Sequence, residues 1–363
     1  MKASIVEAQG KDFVVRDVAI AEPVGREVLI DVKAAGLCHS DHSIATMGLG
    51  YEFPIVLGHE LSGVVSAIGP GVSDVKVGDR VVASLLQFCT TCVQCLSGNT
   101  HRCLNNEATL RTAGQPSRLS SDGEAITQMN GLGGFAEQAL VHENQVAVVP
   151  PEMPFAPAAL IGCGVLTGAG AVLNTAKVQV GETVVVVGAG GVGLNAVSGA
   201  VIAGAATIIV VDVEDEKLER ARAFGATHVI NSLITDPVAE VHRITGVGAE
   251  HVFDFVGLTP VTAQCVEMLT RGGGLYLIGL GASGAALSLE NVTMITRQIH
   301  VHGVWMGSSN LKRDIPLYAS LYLQGRMNLD GLITREISLS EINEGYGELR
   351  DSMTARMVVT DFS

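Results

Sequence analysis

One stretch, residues 183–212, constrains the fold of this 363-residue chain more than any other. It opens with a run of Thr and Val, passes through a glycine-rich loop and an alanine-rich segment, and ends on a second apolar run that closes with Asp212. The glycines fit the spacing G-x-G-x-x-G at Gly188, Gly190 and Gly193, and the acid follows about 20 residues later. Strand, loop, helix, strand and acid in this order predict a dinucleotide-binding unit.

Each glycine of this loop has a separate physical role. Gly188 permits a tight turn, Gly190 lets the backbone approach a pyrophosphate, and Gly193 lets the helix pack closely on the strand. The N–H groups at the start of that helix would face the diphosphate. Asp212 would accept a hydrogen bond from a ribose 2′-hydroxyl and would repel a 2′-phosphate, so the sequence favours NAD over NADP.

The alternative for this stretch is a membrane-spanning helix, because no charged residue lies between Glu182 and Asp212. Its six glycines and its two strand-like ends favour the nucleotide-binding interpretation. The net charge of −14, with no basic cluster, argues against nucleic acid or an anionic membrane as a partner. The N-terminus has no apolar signal segment, which predicts a cytoplasmic protein.

The length and the pattern of the chain predict two domains of different type. Residues 1–150 read mostly as β-strands, and residues 104–130 within them read as a polar, irregular excursion. From residue 181 strands and helices alternate, which predicts an α/β, doubly wound parallel sheet with strands near 183–187, 207–211, 227–231, 251–255, 274–278 and 299–304. The tail, with a helix predicted at 311–325, is expected to complete the first domain. The predicted domains are 1–164 with 308–363, and 165–307.

Four cysteines lie close together in the first domain, in the spacing C-x2-C-x2-C-x7-C at Cys89, Cys92, Cys95 and Cys103. Four thiolates can surround one zinc ion in a closed tetrahedral site that leaves no position for a substrate. The alternatives are four unrelated thiols or two disulfides. Cysteines two residues apart are poorly placed to bridge each other, and a reducing compartment disfavours disulfides. The lobe 89–103 is therefore predicted to hold a structural zinc ion.

Several further segments resemble the zinc-dependent medium-chain alcohol dehydrogenases. The family's zinc signature is matched by Gly58-His59-Glu60 with Gly63 and Gly69, followed by Gly78-Asp79-Arg80-Val81. Segments 36–41 and 162–168 resemble its other two ligand segments, in the same order. With the lobe and the glycine loop also in place, the resemblance covers essentially the whole chain. It implies a Rossmann domain and a mostly-β, GroES-like catalytic domain that carries the zinc lobe.

The resemblance implies that Cys38, His59 and Cys163 hold a catalytic zinc ion with one open position. The spacing of these three residues alone does not identify them as metal ligands, and a single buried cysteine is more often an inert core residue. A zinc ion with an open position acidifies a hydroxyl and polarises a carbonyl, which assists hydride transfer in either direction. With four cysteines in the lobe and two at this site, Cys265 remains as a core residue.

The resemblance also assigns roles to residues around the ligands. Ser40 would accept the proton of the alcohol, Asp41 would orient His59, and Glu60 would assist ligand exchange at the metal. The implied cofactor contacts are His39 and Arg356 at the pyrophosphate, Thr167 and Lys217 at the nicotinamide and ribose, and Gly191, Val192, Ile278 and Leu280. Lys217 could instead be a solvated helix residue, and Arg356 a surface charge. The implied pocket is apolar and suits an uncharged alcohol; it comprises Leu49, Leu85, Phe135 and Leu280.

One position departs from the family. Its better-studied members carry a histidine five residues after the first ligand, where this chain has Ser43, and a histidine stands one place earlier, at His42. The exit of the proton is therefore expected to run through Ser43 and water or through His42, and we favour water, because a shift of one position points a side chain elsewhere.

Together these features predict a zinc-dependent, NAD-linked alcohol dehydrogenase with two zinc ions per chain, acting on a medium-sized primary or aromatic alcohol. One alternative is a dehydrogenase of a formaldehyde–thiol adduct, which segments 162–165 and 321–326 also resemble. Another is a structural protein that binds metal or NADH. The segment 301–306 could pair across a two-fold axis, which predicts a homodimer, with a tetramer as the alternative.

Overall fold

The structure, a computed structural model, describes residues 1–112, 114–281, 284–349 and 355–363. The chain divides into two compact units. Unit 1 comprises Met1–Cys163 and Asn310–Ser363, and unit 2 comprises Gly164–Ser309. The two ligand clusters lie in unit 1 and the glycine loop lies in unit 2.

Unit 1 is mainly β, as its short alternating runs predict. Its strands are β1 Lys2–Val6, β2 Phe13–Asp17, β3 Ala19–Ile20, β4 Glu27–Gly36, β5 Ile55–Val56, β6 Glu60–Ile68, β7 Arg80–Ala83, β8 Leu119–Ser121, β9 Glu124–Gln128, β10 Gln138–His142, β11 Val146–Val148, β18 Ile333–Ser338 and β19 Arg356–Asp361. One sheet has the order β2-β1-β5-β9-β8-β3, and the other has the order β11-β7-β6-β4-β19-β18, with β10 paired to β4. The tail thus joins the second sheet, where β19 runs antiparallel to β4.

The helices of unit 1 are short and lie between these strands. They are α1 His39–Met47, α2 Val93–Leu96, α3 Phe155–Leu160, α10 Leu311–Leu323 and α11 Ile342–Glu348. Single 3₁₀ turns occur at Thr100–Arg102, Asn106–Thr109, Met129–Gly131, Glu143–Gln145, Asp330–Leu332 and Leu339–Glu341. The core that β4, β6 and α11 share includes Ile30, Leu61 and Ile342, none of which is exposed.

The prediction that residues 104–130 are irregular is wrong for their second half. β8 and β9 form an antiparallel hairpin in which Leu119 pairs with Ile126, and both side chains are buried. β9 also pairs with β5, and β8 pairs with β3. Strands of three and five residues carry too few apolar positions for a periodic signal, so pairing partners distant in sequence define them.

Unit 2 confirms the predicted doubly wound sheet. Its strands are β12 Thr183–Val187, β13 Thr207–Asp212, β14 His228–Asn231, β15 Ala249–Asp254, β16 Leu269–Leu277 and β17 His300–Gly303. All pair in parallel, in the order β14-β13-β12-β15-β16-β17. The helices are α4 Leu166–Gly170, α5 Gly191–Ala203, α6 Asp215–Ala223, α7 Pro237–Thr245, α8 Thr259–Glu267 and α9 Asn291–Arg297, with a 3₁₀ turn at Met306–Ser308. The strand order reverses between β12 and β15, where open α/β sheets bind ligands.

Residues 155–176 are helical throughout, because π-helical stretches at Ile161–Val165 and Ala171–Ala176 connect and extend α3 and α4. Among the described residues this is the one helix long and apolar enough to cross a membrane, with a mean hydropathy of 1.8. Of its most apolar stretch, 89% is buried inside the structure. Burial to that extent is the property of a core helix.

Candidate active site

Four side chains of unit 1 converge on one buried point. Cys38, His59, Glu60 and Cys163 each offer a ligand atom, and these atoms lie within 4.8 Å of one another. Cys38 stands at the start of α1, His59 and Glu60 at the start of β6, and Cys163 in the π-helical turn at Ile161–Val165. The structure therefore brings together the three ligands that the resemblance implies, with Glu60 beside them.

The orientation of His59 leaves one ring nitrogen facing this cluster. Asp41 is fully buried, and its Oδ1 accepts a hydrogen bond from the Gly58 N–H at 2.9 Å and lies 3.1 Å from His59 Nδ1. His59 Nε2 makes no hydrogen bond within the described part of the chain. Two thiolates and an imidazole, with room for a fourth ligand, are the donors of a catalytic zinc ion. The residues present therefore fit the metal.

The electrostatics of the cluster favour a thiolate. A hydrogen bond from Cys163 is the main cause that holds the pKa of Cys38 well below its usual range, against the effect of burial. Burial raises the pKa of Glu60 to about 7, although Arg356 opposes the shift from 3.5 Å away. Burial would lower the pKa of His59, but Asp41 and Cys38 raise it well above its ordinary value. The cluster thus favours a thiolate at Cys38 beside a protonated imidazole at His59, and the hydrogen bond with Cys38 raises the pKa of Cys163 well above its usual range.

Three polar residues of α1 lie close to the cluster in sequence. The Ser40 hydroxyl oxygen lies 3.8 Å from the Cys38 sulfur. The ring of His42 packs on Tyr346, with ring centroids 5.3 Å apart. Ser43 is half-buried. Ser40 is therefore placed next to a ligand, whereas the imidazole of His42 faces α11.

Tyr346, a buried residue of α11, belongs to no sequence motif. It is 4% exposed, stacks on Phe13 at 5.3 Å, and its hydroxyl has no hydrogen-bond partner among the described residues. Burial, followed by the negative charges of Asp41 and Cys38, raises its pKa well above the ordinary value. Its proximity to the cluster arises from tertiary packing, and no local motif signals it.

The four-cysteine lobe forms the second ligand cluster. Cys89, Cys92, Cys95 and Cys103 bring their sulfur atoms within 4.8 Å of one another. Backbone N–H groups donate to the sulfurs of Cys89 and Cys103 at 3.2–3.3 Å. The hydroxyl of Thr91, together with such N–H groups, lowers the pKa of Cys89 to about 6. Four sulfur atoms that converge in this way fit a closed structural zinc site.

The glycine loop of unit 2 has the geometry that a dinucleotide needs. Gly188 adopts a φ of 98°, and a Cβ on Gly193 would lie 1.9 Å from the Gly188 carbonyl oxygen. A Cβ on Gly190 would meet nothing within 4 Å, so open space lies beside the start of α5. Asp212 Oδ2 accepts the Ala189 N–H at 2.7 Å, which ties the acid to the loop. The loop fits NAD.

The other predicted cofactor contacts occupy varied surroundings. In unit 2, Gly191 begins α5 and is buried, whereas Val192, Lys217 and Ile278 are half-buried and Leu280 is 81% exposed. The Thr167 hydroxyl lies 3.5 Å from the Met306 sulfur. In unit 1, His39 is exposed at the start of α1. Arg356 is 4% exposed and pairs with Glu60, so the alternative of a surface charge is wrong.

The predicted pocket residues divide into two groups. Leu49 is 57% exposed and Leu85 is half-buried. Phe135, by contrast, is fully buried in the core of unit 1, where its ring packs edge-on against Phe13 and closely covers Gly58. Its assignment to the pocket wall stays a prediction, and its ring lies against Gly58, the neighbour of the ligand His59.

The fold and the two clusters define a zinc-dependent dehydrogenase that uses a dinucleotide. Residues 25–151 match the alcohol dehydrogenase GroES-like domain, and residues 191–321 match the zinc-binding dehydrogenase domain. The chain belongs to the zinc-dependent medium-chain alcohol dehydrogenase family.

Three relatives illustrate the similarity. The chain is 36% identical over 372 residues to an S-(hydroxymethyl)glutathione dehydrogenase of Paracoccus denitrificans, and the match covers 99% of each chain. It is 38% identical over 365 residues to an NDMA-dependent alcohol dehydrogenase of Amycolatopsis methanolica, covering 99% of this chain and 98% of the relative. The structure is similar to that of a benzyl alcohol dehydrogenase from Acinetobacter calcoaceticus, with a TM-score of 0.92 and 33% identity over 99% of both chains.

Proposed function

We propose that this protein oxidises a medium-sized primary alcohol, and an aromatic one in particular, to the aldehyde, with NAD as hydride acceptor. It is a zinc-dependent oxidoreductase of the alcohol dehydrogenase type. The observation that carries the proposal is the buried cluster of Cys38, His59 and Cys163, in which His59 Nε2 is oriented and makes no hydrogen bond within the described residues.

The residues of unit 1 have separate tasks in this reaction. Zinc held by Cys38, His59 and Cys163 would supply a Lewis acid for the alcohol oxygen, and NAD would accept the hydride. Asp41 fixes the tautomer and the ring orientation of His59. Ser40 accepts the hydroxyl proton and passes its own proton on towards Ser43 and water, because its Oγ lies beside the ligand Cys38. Glu60, whose pKa burial raises to about 7, can carry or release a proton at neutral pH.

The choice of an uncharged alcohol has two supports. The predicted pocket positions Leu49, Leu85 and Leu280 are apolar. Both arginines of residues 104–130, Arg111 and Arg118, pair with Glu27 and are 10% and 6% exposed at their side chains. The positive charges of these two arginines are therefore paired with a carboxylate of the protein itself. The similarity to a benzyl alcohol dehydrogenase agrees with an aromatic substrate.

The second candidate is oxidation of an S-hydroxymethyl thiol, favoured by the similarity to an S-(hydroxymethyl)glutathione dehydrogenase. That substrate carries carboxylates, which need cations at the pocket mouth. A purely structural role for the bound metal and NADH is disfavoured because all three catalytic ligands converge.

A substrate panel tests these alternatives. Benzyl alcohol, butanol and ethanol are assayed with NAD or NADP, and formaldehyde is assayed with NAD in the presence and absence of glutathione. NDMA is added as an alternative acceptor. Cys163→Ser serves as the inactive control. We expect benzyl alcohol with NAD to give the highest kcat/KM. A higher kcat/KM for formaldehyde with glutathione would establish the thiol adduct as the substrate instead. Absence of turnover with every substrate would refute the proposed enzymatic activity.

We also propose a cytoplasmic homodimer that pairs through β17. This strand ends the sheet of unit 2, and residues 298–309 contain no Asp, Glu, Lys or Arg to block the edge. Edge pairing of this kind satisfies the outer backbone groups of both copies. A reducing compartment suits the seven unpaired cysteines, of which six lie in the two ligand clusters.

A further inference from the structure

The carboxyl end of β15 carries a buried acid, Asp254, that the motifs of the sequence do not include. Asp254 is 1% exposed and lies opposite Val187, the last residue of β12 before the glycine loop. These two strands flank the point where the strand order reverses. Asp254 therefore lies at the edge of the sheet where a ligand is expected to bind.

The carboxylate of Asp254 organises the loop that follows it. Its Oδ1 accepts the N–H groups of Val256 and Gly257 at 2.8 and 3.0 Å. Its Oδ2 accepts the hydroxyl of Thr262, on α8, at 2.5 Å. Within the described residues no arginine or lysine pairs with this carboxylate, so the three donors satisfy it. The side chain thus fixes residues 255–258 between β15 and α8.

The backbone of the same residue fixes a second loop. The Asp254 carbonyl accepts the N–H groups of Ile278 and Gly279 at 3.0 and 2.9 Å, just after β16. The two loops cross in direct contact, because a Cβ on Gly257 would lie 2.5 Å from the Gly279 carbonyl oxygen. Gly257 also has a φ of 75°, in the left-handed region that favours glycine.

These loops present apolar side chains at the end of the sheet. Val256 is 37% exposed, Leu258 is 58% exposed and Leu280 is 81% exposed. Val256 also borders the glycine loop, since a Cβ on Gly188 would lie 3.1 Å from its Cγ2. We propose that Asp254 is a positioning residue for NAD, which holds these two loops as an apolar wall of the cofactor crevice. This inference rests on the proposed use of NAD.

The test measures NADH binding to the purified full chain by calorimetry, and KM for NAD together with kcat for benzyl alcohol. Asp254→Ala removes the acceptor of all three donors. We expect its Kd for NADH and its KM for NAD to rise about tenfold, the effect of losing a hydrogen bond to a charged group, with kcat within about twofold of wild type. Asp254→Asn should restore binding, because its amide oxygen can accept both N–H groups and its NH₂ can donate to Thr262.

Thr245→Val is the matched structural control. The Thr245 hydroxyl accepts the Gly248 N–H and so fixes the turn that enters β15 at its other end. We expect this variant to lose stability without a change in Kd. An equal loss of NADH affinity in Thr245→Val, wild-type affinity in Asp254→Ala, or failure of Asp254→Asn to restore binding would each overturn the inference.

A second variant keeps the carboxylate and separates the loops. Gly257→Ala places a methyl group against Gly279, and we expect it to weaken NADH binding as Asp254→Ala does. If Asp254→Ala does not fold, wild-type affinity in Gly257→Ala overturns the inference. A wild-type protein that binds no NADH would instead refute the proposed function, so the two failures are distinguishable.

Discussion

Ser40 and His42 lie on the same short helix, but their side chains have different neighbours. The Ser40 hydroxyl is next to the ligand Cys38, whereas the His42 ring packs on Tyr346. We therefore expect Ser40→Ala to lower kcat for alcohol oxidation on the order of 10²-fold, the cost of losing a positioned proton-transfer group. His42→Gln should leave kcat nearly unchanged.

The pH dependence of kcat separates the two exits for the proton. A histidine in the path would add a titration near roughly 6.5, and Ser43 and water add none. Ser43→His should therefore introduce such a step. If His42→Gln removed a step already present in the wild-type profile, the proton would leave through His42 and our preference for water would be wrong.

Asp212 combines two roles in one carboxylate. Besides the predicted contact to ribose, it accepts the N–H groups of Ala189, Val213 and Glu214. Asp212→Gly should raise KM for NAD by about tenfold and admit NADP, because both the acceptor and the repulsion of a phosphate are lost. Asp212→Asn, which keeps an acceptor, should admit NADP with a smaller rise in KM. Use of NADP by the wild type at comparable kcat/KM would contradict this assignment.

Residues whose role depends on local spacing in the sequence were predictable, and residues whose role depends on tertiary packing were not. The glycines and the four cysteines carry their geometry in their spacing. The burial of Phe135 against Gly58 also depends on tertiary packing and has no local signal. Tyr346 and Asp254 meet their partners only after folding, and a single Tyr or Asp in a sequence has no signature. Recognition of Cys38, His59 and Cys163 needed the family resemblance.

At the scale of elements, the lobe 89–103 and the turn around Cys163 should have separable roles. Cys95→Ser opens a closed metal site, so we expect the thermal midpoint to fall by about 10 °C, which corresponds to roughly 3 kcal/mol in a domain of this size. Cys163→Ser should abolish turnover and change the midpoint little. Each variant should retain one zinc ion of two by metal analysis. Active wild-type enzyme with fewer than two would contradict the prediction.

The segment before β8 is attached to β4 by a buried ion cluster. Burial would raise the pKa of Glu27, but hydrogen bonds from Arg111, Val24 and Arg118 lower it from 4.5 to about 2. Because the folded-state pKa is depressed, the stabilisation is complete above about pH 5 and is lost as the pH falls towards 2. Glu27→Gln should therefore cost roughly 3 kcal/mol at pH 7.

Calorimetric midpoints measured from pH 7 to pH 3 test this attachment. The difference between wild type and Glu27→Gln should shrink as the pH falls below about 4.5, the ordinary pKa of the carboxyl. Glu124→Gln, which changes an exposed acid of β9, is the control and should have little effect at any pH. A difference independent of pH would mean that packing, and not the charge of Glu27, stabilises the segment.

Elements with long apolar runs were predictable, and short ones were not. Each of the six predicted strands of unit 2 overlaps an observed strand, because buried parallel strands are continuous runs of apolar residues. β8 and β9 were missed because their pairing partners, not their composition, define them. The π-helical stretches at Ile161–Val165 and Ala171–Ala176 have no sequence signal.

At the scale of the whole molecule, β17 should determine the oligomeric state. The double variant His300→Glu, His302→Glu places like charges on both copies of the edge, so we expect a monomer by analytical ultracentrifugation. Val14→Glu, on the edge strand β2 of unit 1, is the control and should remain a dimer. A wild-type monomer, or a dimer that survives the double variant, would exclude this interface.

The pairing of β19 with β4 has a consequence for synthesis on the ribosome. β4 is made from residues 27–36, but its neighbour β19 is made only after all of unit 2 has been translated. At about 5–20 residues per second, residues 310–363 take several seconds to appear, and until then Ala35 and Gly36 at the end of β4 lack their partner strand. Arg356, which pairs with Glu60, arrives with that same strand. A premature stop codon before β18 would therefore release a complete nucleotide-binding unit attached to a sheet that lacks β18 and β19, a substrate for chaperones and proteases.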